Sequence, residues 1–437
     1  MLDLYLARVQ QAHSALDVPL LTALLSPAPR SQTFIQLRQY LLSTPHLRPT
    51  SYKDSIRTTF SQPSLRPLAD YLANHLLYVR DSPLEPTTVD QLEQCYALLE
   101  DLYKTADRLF ATSENGYFVP TLRSLTHRLI TIALLYGRVI GDAKLIKAGE
   151  AARMLARPMG IAAADRSTTA PNQQSVPGKK SALFFLANAT FRVYFALHNL
   201  RLCDTVLNNV KNSTANLERD GYGKADQCAF FYYRGRINLY QRRLGLAKKD
   251  LEKSLIACHT AAKKNARLIL IYLVTASIPL GYFPKYDVLQ HFELGDQFGP
   301  GLLEPLRKGN WSQVENHLST HLAWHIKYGN YLLLREKLEV ICWRNLARQT
   351  VLVSTNGQPL PPTGPPTLSL SLLVSAARVV WRGEQGSTEE FDEDDIESIL
   401  VSLVDQGYLK AYIMHSKRLL VLQKGKHFGF PPLSAVA

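Results

Sequence analysis

The sequence predicts a mainly α-helical protein: a right-handed stack of antiparallel helix pairs, tetratricopeptide- or HEAT-like, capped by a C-terminal winged-helix subdomain. Three observations carry this. Helix-length apolar segments alternate with short breaks from residue 181 to about 356. Within them, "YRGRINLYQRRLGLAKKDLEKSL" (233–255) reads as one antiparallel pair. Residues 367–430 then read as helix, helix and hairpin, the plan of a winged helix.

The helix pair is legible from its spacing. Phe230, Tyr233, Ile237, Tyr240 and Leu244 recur at intervals of 3 and 4, one face of a helix. Ala247, Leu251, Leu255 and Cys258 make a second stripe, and Gly245 is expected at the joint. Gly235 and Ala247 fall where two paired helices need small residues to approach each other. Residues 1–160 also read as helical, with breaks rich in Pro and Ser. The stretch 161–180, polar and low in aromatics, is expected to be a flexible linker or long loop. Residues 301–354 continue in helices, with Asn310 capping one that begins near Trp311. The insert 354–366, "STNGQPLPPTGPP", cannot continue a helix and reads as a loop joining two units. In the last unit "SLLVSAARVVW" and "FDEDDIESILVSLVDQG" are helices, the second with acids at its start and Gly407 at its end. "YLKAYIM" and "RLLVLQ", joined by "HSK", form the hairpin.

Bulk properties narrow the function. A chain of 437 residues should hold two or three domains. Hydrophobic content of 46%, a mean hydropathy of −0.10 and a pI near 9.4 describe a basic globular protein, suited to an anionic partner. Five scattered Cys argue against a disulfide framework and a zinc site, and fit a reducing compartment. "MLDLYLARVQ" lacks a signal-peptide h-region. The uncharged run 268–284 contains Pro279 and Gly281 and is short of the roughly 20 apolar residues a membrane span needs. No phosphate loop, dinucleotide fingerprint, nucleophile elbow or HExxH is present, so no catalytic site, cofactor or small-molecule substrate is expected. His317, His321 and His325 share a helix face but lack a further ligand, so a structural role is expected and no metal. The acidic run Glu389–Asp395 fits no calcium loop and reads as a capped, solvated helix start.

Two basic regions are candidate interfaces. Residues 234–267 hold ten Lys or Arg and two acids, a net +8 of the chain's +13. Arg236, Arg243, Lys249, Lys253, Lys263, Lys264 and Arg267 are the candidate contacts for an acidic partner. Helical angles put these charges on several faces, with Lys249 and Lys253 directed away from the core. The second region is the wing: Lys410, Lys417, Arg418, Lys424 and Lys426, with no acid after Asp405. These suit a nucleic-acid backbone, whereas the acids that begin the preceding helix would repel one, which excludes groove reading by that helix.

The stretches "KKNARLILIYLVTASIPLGYFP" (263–284), "LLREKLEVICWRNLARQ" (333–349), "IESILVSLVDQGYLKAYIMHSKRLLVLQK" (396–424) and "FPPLSAV" (430–436) resemble one PCI-domain family. It contains the Thp-type subunit of the transcription-and-export complex that links genes to nuclear pores, and the closely similar signalosome-associated subunit twelve. The resemblance covers roughly residues 181–437, with the PCI domain at about 235–428; the insert 354–366 departs from the compact family pattern. It implies a non-enzymatic scaffold subunit for nuclear mRNA export. Such a subunit pairs with a second PCI scaffold of the Sac/GANP type and binds a small acidic Sem/DSS-type protein. It also contributes to RNA or single-stranded nucleic-acid binding, in a nuclear, pore-associated and also cytoplasmic setting. The alternative it implies is a signalosome- or splicing-associated assembly subunit with no nucleic-acid role.

Overall fold

The computed structural model describes residues 2–44, 49–114, 116–166, 178–354, 365–381, 391–424 and 429–436. The chain divides into two compact units, Met1–Tyr233 and Arg234–Ala437. The first contains α1 (Leu2–Ser14), α2 (Val18–Leu25), α3 (Gln32–Ser43), α4 (Pro49–Thr59), α5 (Arg66–Asp81) and α6 (Val89–Thr112). It continues with α7 (Val119–Val139), α8 (Ile146–Met154), α9 (Ala156–Ala164), α10 (Leu183–Ala196) and α11 (Arg201–Asn212). The boundary falls inside α12 (Lys224–Tyr240).

In the first unit α5, α6 and α7 pack side by side, burying Tyr71, Leu72, Tyr96, Leu99, Tyr103, Leu122 and Leu129. The buried C-terminus of α2 sets a hydrogen-bonding problem, because its last carbonyls have no partner within the helix. Three side chains solve it. Tyr5 donates to the Leu24 carbonyl at 3.1 Å and Tyr71 to Leu25 at 3.0 Å. His75 Nε2 donates to Ser26 at 3.3 Å, which fixes the imidazole tautomer. Asp226 at the start of α12 is tied to α7 by a two-pronged bond from Arg123 at 2.8 and 2.6 Å, and its carbonyl accepts from Asn188 on α10.

The boundary between the units falls after Tyr233, and the stretch expected to be a flexible linker or long loop, 161–180, lies within the first unit. α9 runs to Ala164, and the Asp165 carboxylate accepts from the Lys180 backbone N–H at 2.8 Å, so the ends of this segment meet. Residues 167–177 lie outside the described residues. α10 then returns to pack on α7, α8 and α9 within the same unit. Composition alone does not show that the two ends of such a stretch are held together.

The second unit contains the rest of α12, then α13 (Leu244–Ala257), α14 (Lys263–Ser277), α15 (Tyr286–His291), α16 (Gly295–Phe298) and α17 (Pro300–Lys308). After these come α18 (Trp311–Thr320), α19 (Leu322–Tyr328), α20 (Tyr331–Ser354), α21 (Leu370–Val380) and α22 (Glu393–Asp405). Asn310 caps α18, its side chain accepting from the Gln313 N–H at 3.1 Å. α12 and α13 approach closely at Gly235: a Cβ there would lie 2.7 Å from Leu251 Cγ. The joint between them is Gln241–Arg243, and Gly245 lies inside α13. Arg242 adopts the left-handed conformation (φ 62), and the Arg242 and Arg243 N–H groups donate back to Leu239 and Asn238. That is the bonding pattern glycine usually completes at a helix end. Arginine takes the position here, so reading the joint from glycine misplaces it.

The sheet is three-stranded and antiparallel, in the order β1 (Thr367–Ser369), β3 (Leu419–Leu422), β2 (Ala411–Met414). Leu368 and Ile413 both register against Leu420. β2 and β3 are the hairpin legible in the sequence; β1, three residues behind prolines, is too short to show alternation. Leu368, Leu420 and Leu422 pack with Trp343, Leu346, Leu373, Ala377, Ile396, Leu400 and Leu403 in one cluster. The segment "FPPLS" closes this unit. Phe430 is buried in the same cluster, the Pro431 carbonyl accepts from Arg344 Nη2 at 2.6 Å, and Leu433 lies over Gly281. A Cβ on Gly281 would come 2.9 Å from Leu433 Cβ, and φ there is +80.

Two predictions follow from this packing. Gly235→Val should destabilise the protein by about 2 kcal/mol, the usual cost of overfilling a tight contact, read as a shift in the urea unfolding midpoint. The second concerns His75 and His325, whose imidazoles burial lowers from 6.5 to about 4. Between those pH values the unfolded chain binds protons that the folded chain excludes. The stability from these neutral rings is complete above about pH 6.5, declines as pH falls toward 4 and is level below. Each ring should account for about 3 kcal/mol of that decline. Urea unfolding at pH 7 and pH 4.5 should show it, and a His75→Gln, His325→Gln double variant should show a smaller pH dependence.

Candidate nucleic-acid and partner interfaces

The basic helix pair is built around a buried acid. Asp250 on α13 is 6% exposed. Arg234 Nε donates to Asp250 Oδ2 at 2.9 Å, its Nη2 reaches Oδ1, and Asn238 Nδ2 donates to Oδ2 at 2.9 Å. A buried carboxylate demands such partners, so Arg234 is committed to the fold. Four more cations of the stretch have internal roles. Arg236 stacks on the Tyr272 ring at 4.4 Å, and Lys248 lies 4.2 Å over Tyr282 while bonding Glu252 at 2.6 Å. Arg242 pairs with Glu336 at 2.7 Å. Arg267 Nε donates to the Phe292 carbonyl at 2.9 Å and its Nη2 to the Glu293 carbonyl at 3.3 Å, at the end of α15.

The remaining five, Arg243, Lys249, Lys253, Lys263 and Lys264, are exposed. Of the seven residues expected to meet an acidic partner, Arg236 and Arg267 are thus held by a ring and by carbonyls. Lys249 and Lys253 share the outer face of α13 with two aliphatic side chains that sequence reading did not single out. Leu246 is 51% exposed and Ile256 is 84% exposed. At 100° per residue the four fall within about 80° of arc. The face is apolar at both ends and cationic between. The signal was present in the sequence, because the periodicity that places Lys249 and Lys253 outward places Leu246 and Ile256 beside them.

The β2–β3 hairpin and its flanks, expected to form a wing, carry their cations in two places. Lys410 and Lys424 are exposed at its base, where Gln423 N–H donates to the Lys410 carbonyl at 2.9 Å and Lys410 N–H to Gly429 at 2.7 Å. Lys417 is exposed at the tip, beyond the four residues of β2, about 13 Å away at the usual strand rise. Lys426 lies outside the described residues. Arg418, next to Lys417, is half-buried and engaged: its guanidinium bonds Asp394 and lies 3.4 Å from Glu397 and 3.5 Å from Glu393. Nothing in the local spacing of the sequence marks this, since the acids lie some twenty residues upstream. They belong to the first turns of α22, which Asp392 caps in a reciprocal pair with Asp395. Glu389 and Glu390 lie outside the described residues.

His325 is fully buried, its Nδ1 3.0 Å from Asn330 Oδ1, while Asn330 donates to Thr275 at 3.0 Å. His317 Nε2 donates to the Gln297 carbonyl at 3.2 Å. Among the described residues, no group of three or more His, Cys, Asp or Glu is arranged to hold a metal, and no helix is long and apolar enough to cross a membrane.

Comparison with known proteins finds a series of relatives. A PCI domain-containing protein of Schizosaccharomyces pombe is 31% identical over 385 residues, 85% of this chain and 82% of the relative. PCI domain-containing protein 2 of Xenopus laevis is 29% identical over 335 residues, 75% of this chain and 76% of its own length. The Enhanced ethylene response protein 5 of Arabidopsis thaliana is 26% identical over 250 residues, 57% of each chain. No protein-family profile matches the sequence.

Proposed function

From the premise that this chain belongs to the PCI domain-containing protein family, we propose that it is a non-enzymatic scaffold subunit of a nuclear mRNA-export complex. In this reading α12 to α20 form a stack of antiparallel helix pairs, and α21, α22 and the sheet form a winged-helix cap. The cap and stack hold a second PCI scaffold of the Sac/GANP type. The basic helix pair takes a small acidic Sem/DSS-type protein, and the wing contributes to binding RNA. The protein acts in the nucleus at pores, and also in the cytoplasm.

The observation that carries the reading is the outer face of α13. Leu246 and Ile256 flank Lys249 and Lys253, and Lys263 and Lys264 begin the next helix. An acidic chain with occasional apolar residues meets that pattern with charge and burial together, since the lysines and the two aliphatic side chains lie on one face. One observation favours the assembly-only alternative: Arg418, the wing's single arginine, is already held by carboxylates.

Two measurements test this. Reversing Lys249, Lys253, Lys263 and Lys264 to Glu should weaken capture of a labelled acidic Sem/DSS-type peptide at least tenfold, as like charges replace complementary ones across the contact. Unchanged peptide affinity would sink the assignment. For the wing, affinity for single-stranded RNA in the reconstituted PCI pair should fall steeply with salt. Lys410→Glu, Lys417→Glu and Lys424→Glu together should flatten that dependence while the pair stays intact. Absence of RNA binding at low salt would leave the assembly-only alternative.

A further inference from the structure

Arg418 occupies the turn of the hairpin in the left-handed conformation, φ 51, directly after the 3-10 turn His415–Lys417. Its guanidinium is surrounded by Glu393, Asp394 and Glu397, and His415 Nδ1 lies 2.9 Å from Glu397 Oε2. The carboxylates that hold it are distinct from the pair that caps the helix, because the capping pair of α22 is Asp392 and Asp395. Glu393, Asp394 and Glu397 therefore bind the wing rather than only cap the helix. Oxygens of a nucleic-acid phosphate would bond an arginine in the same way as these carboxylates do. Lys417, one residue away, and Lys410 and Lys424 at the base remain exposed.

We infer that the acidic start of α22 is an internal competitor for nucleic acid, holding Arg418 in an intramolecular anion site that a phosphate must displace. The inference rests on the nucleic-acid reading of the wing. On this arrangement the exposed lysines make the first, weaker contacts. The arginine joins only when a strand, or a partner that draws off the carboxylates, outcompetes three acids already in place. A single exposed ion pair is readily broken, but three carboxylates on one guanidinium form a network that holds better than its pairs.

The test is a double-mutant cycle on the full chain, with a fluorescent oligouridylate titrated at several salt concentrations. Four proteins enter it: the unaltered chain; Arg418→Asn, a residue that tolerates the left-handed conformation; Glu393→Gln with Asp394→Asn and Glu397→Gln; and all four changes together. Arg418→Asn alone should alter affinity less than about twofold, because the arginine makes no phosphate contact while held. In the carboxylate-free background the same change should weaken binding about tenfold at low salt and reduce the salt slope by about 0.7, one phosphate contact to a single strand. Removing three negative charges strengthens binding by itself, and the cycle cancels that general effect. Equal losses in both backgrounds, or none in either, would overturn the competitor while leaving RNA binding by the wing standing. If none of the four proteins binds at low salt, the nucleic-acid reading itself falls, and the competitor with it. Thermal melts followed by circular dichroism check that each variant is folded.

Discussion

The burial of Asp250 against Arg234 and Asn238 is the constraint on which the basic helix pair depends. Gly235 lets α12 and α13 approach until Leu251 fills the gap, and the same approach carries Asp250 into the seam. A carboxylate there is tolerable only with a cation and a further donor beside it. Arg234 is fixed by that demand, and α12 is oriented with it. With that orientation Arg236 stacks on Tyr272, and Arg242 pairs with Glu336 at the surface.

The stretch looks unbalanced on a count of ten bases against two acids because such a count misses most of what satisfies a cation inside a protein. Aromatic rings beneath Arg236 and Lys248, and the backbone carbonyls at the end of α15 that accept from Arg267, carry no formal charge. The true outward excess is smaller than the sequence implies and more localised. On α13 it coincides with exposed aliphatic side chains, which gives the face a chemical character that charge alone lacks. The β2–β3 hairpin shows the reverse. Its strand and tail are free of acids in sequence, yet folding brings three of them onto Arg418.

What was legible in the sequence was whatever depends on near neighbours. The helices of the second unit, the Asn310 cap, the acidic start of α22 and the β2–β3 hairpin all rest on periods and caps of a few residues. What was not legible depends on pairs distant along the chain. β1 exists because β3 offers an edge fifty residues later, and its three residues carry no pattern of their own. The joint at Arg242 is not legible because a left-handed arginine is set by the backbone bonds that end α12, from the Arg242 and Arg243 N–H groups, not by its own preference. The bond between the Asp165 carboxylate and the Lys180 backbone N–H, which joins the two ends of the stretch expected to be a linker or long loop, cannot be inferred from composition.

The seat of Leu433 on Gly281 has a bearing on how the protein is made. It joins positions about 150 residues apart, and Arg344 and Phe430 reinforce the same closure. Contacts of such long sequence separation form late, after the loop between them has been ordered. During synthesis at about 5–20 residues per second, the second unit must wait roughly 10–40 seconds after Arg234 emerges before residue 433 is available to seal it. The first unit, which ends at Tyr233, can fold during that interval. Through that wait the turn at Gly281 and the core face of α20 stand open to solvent.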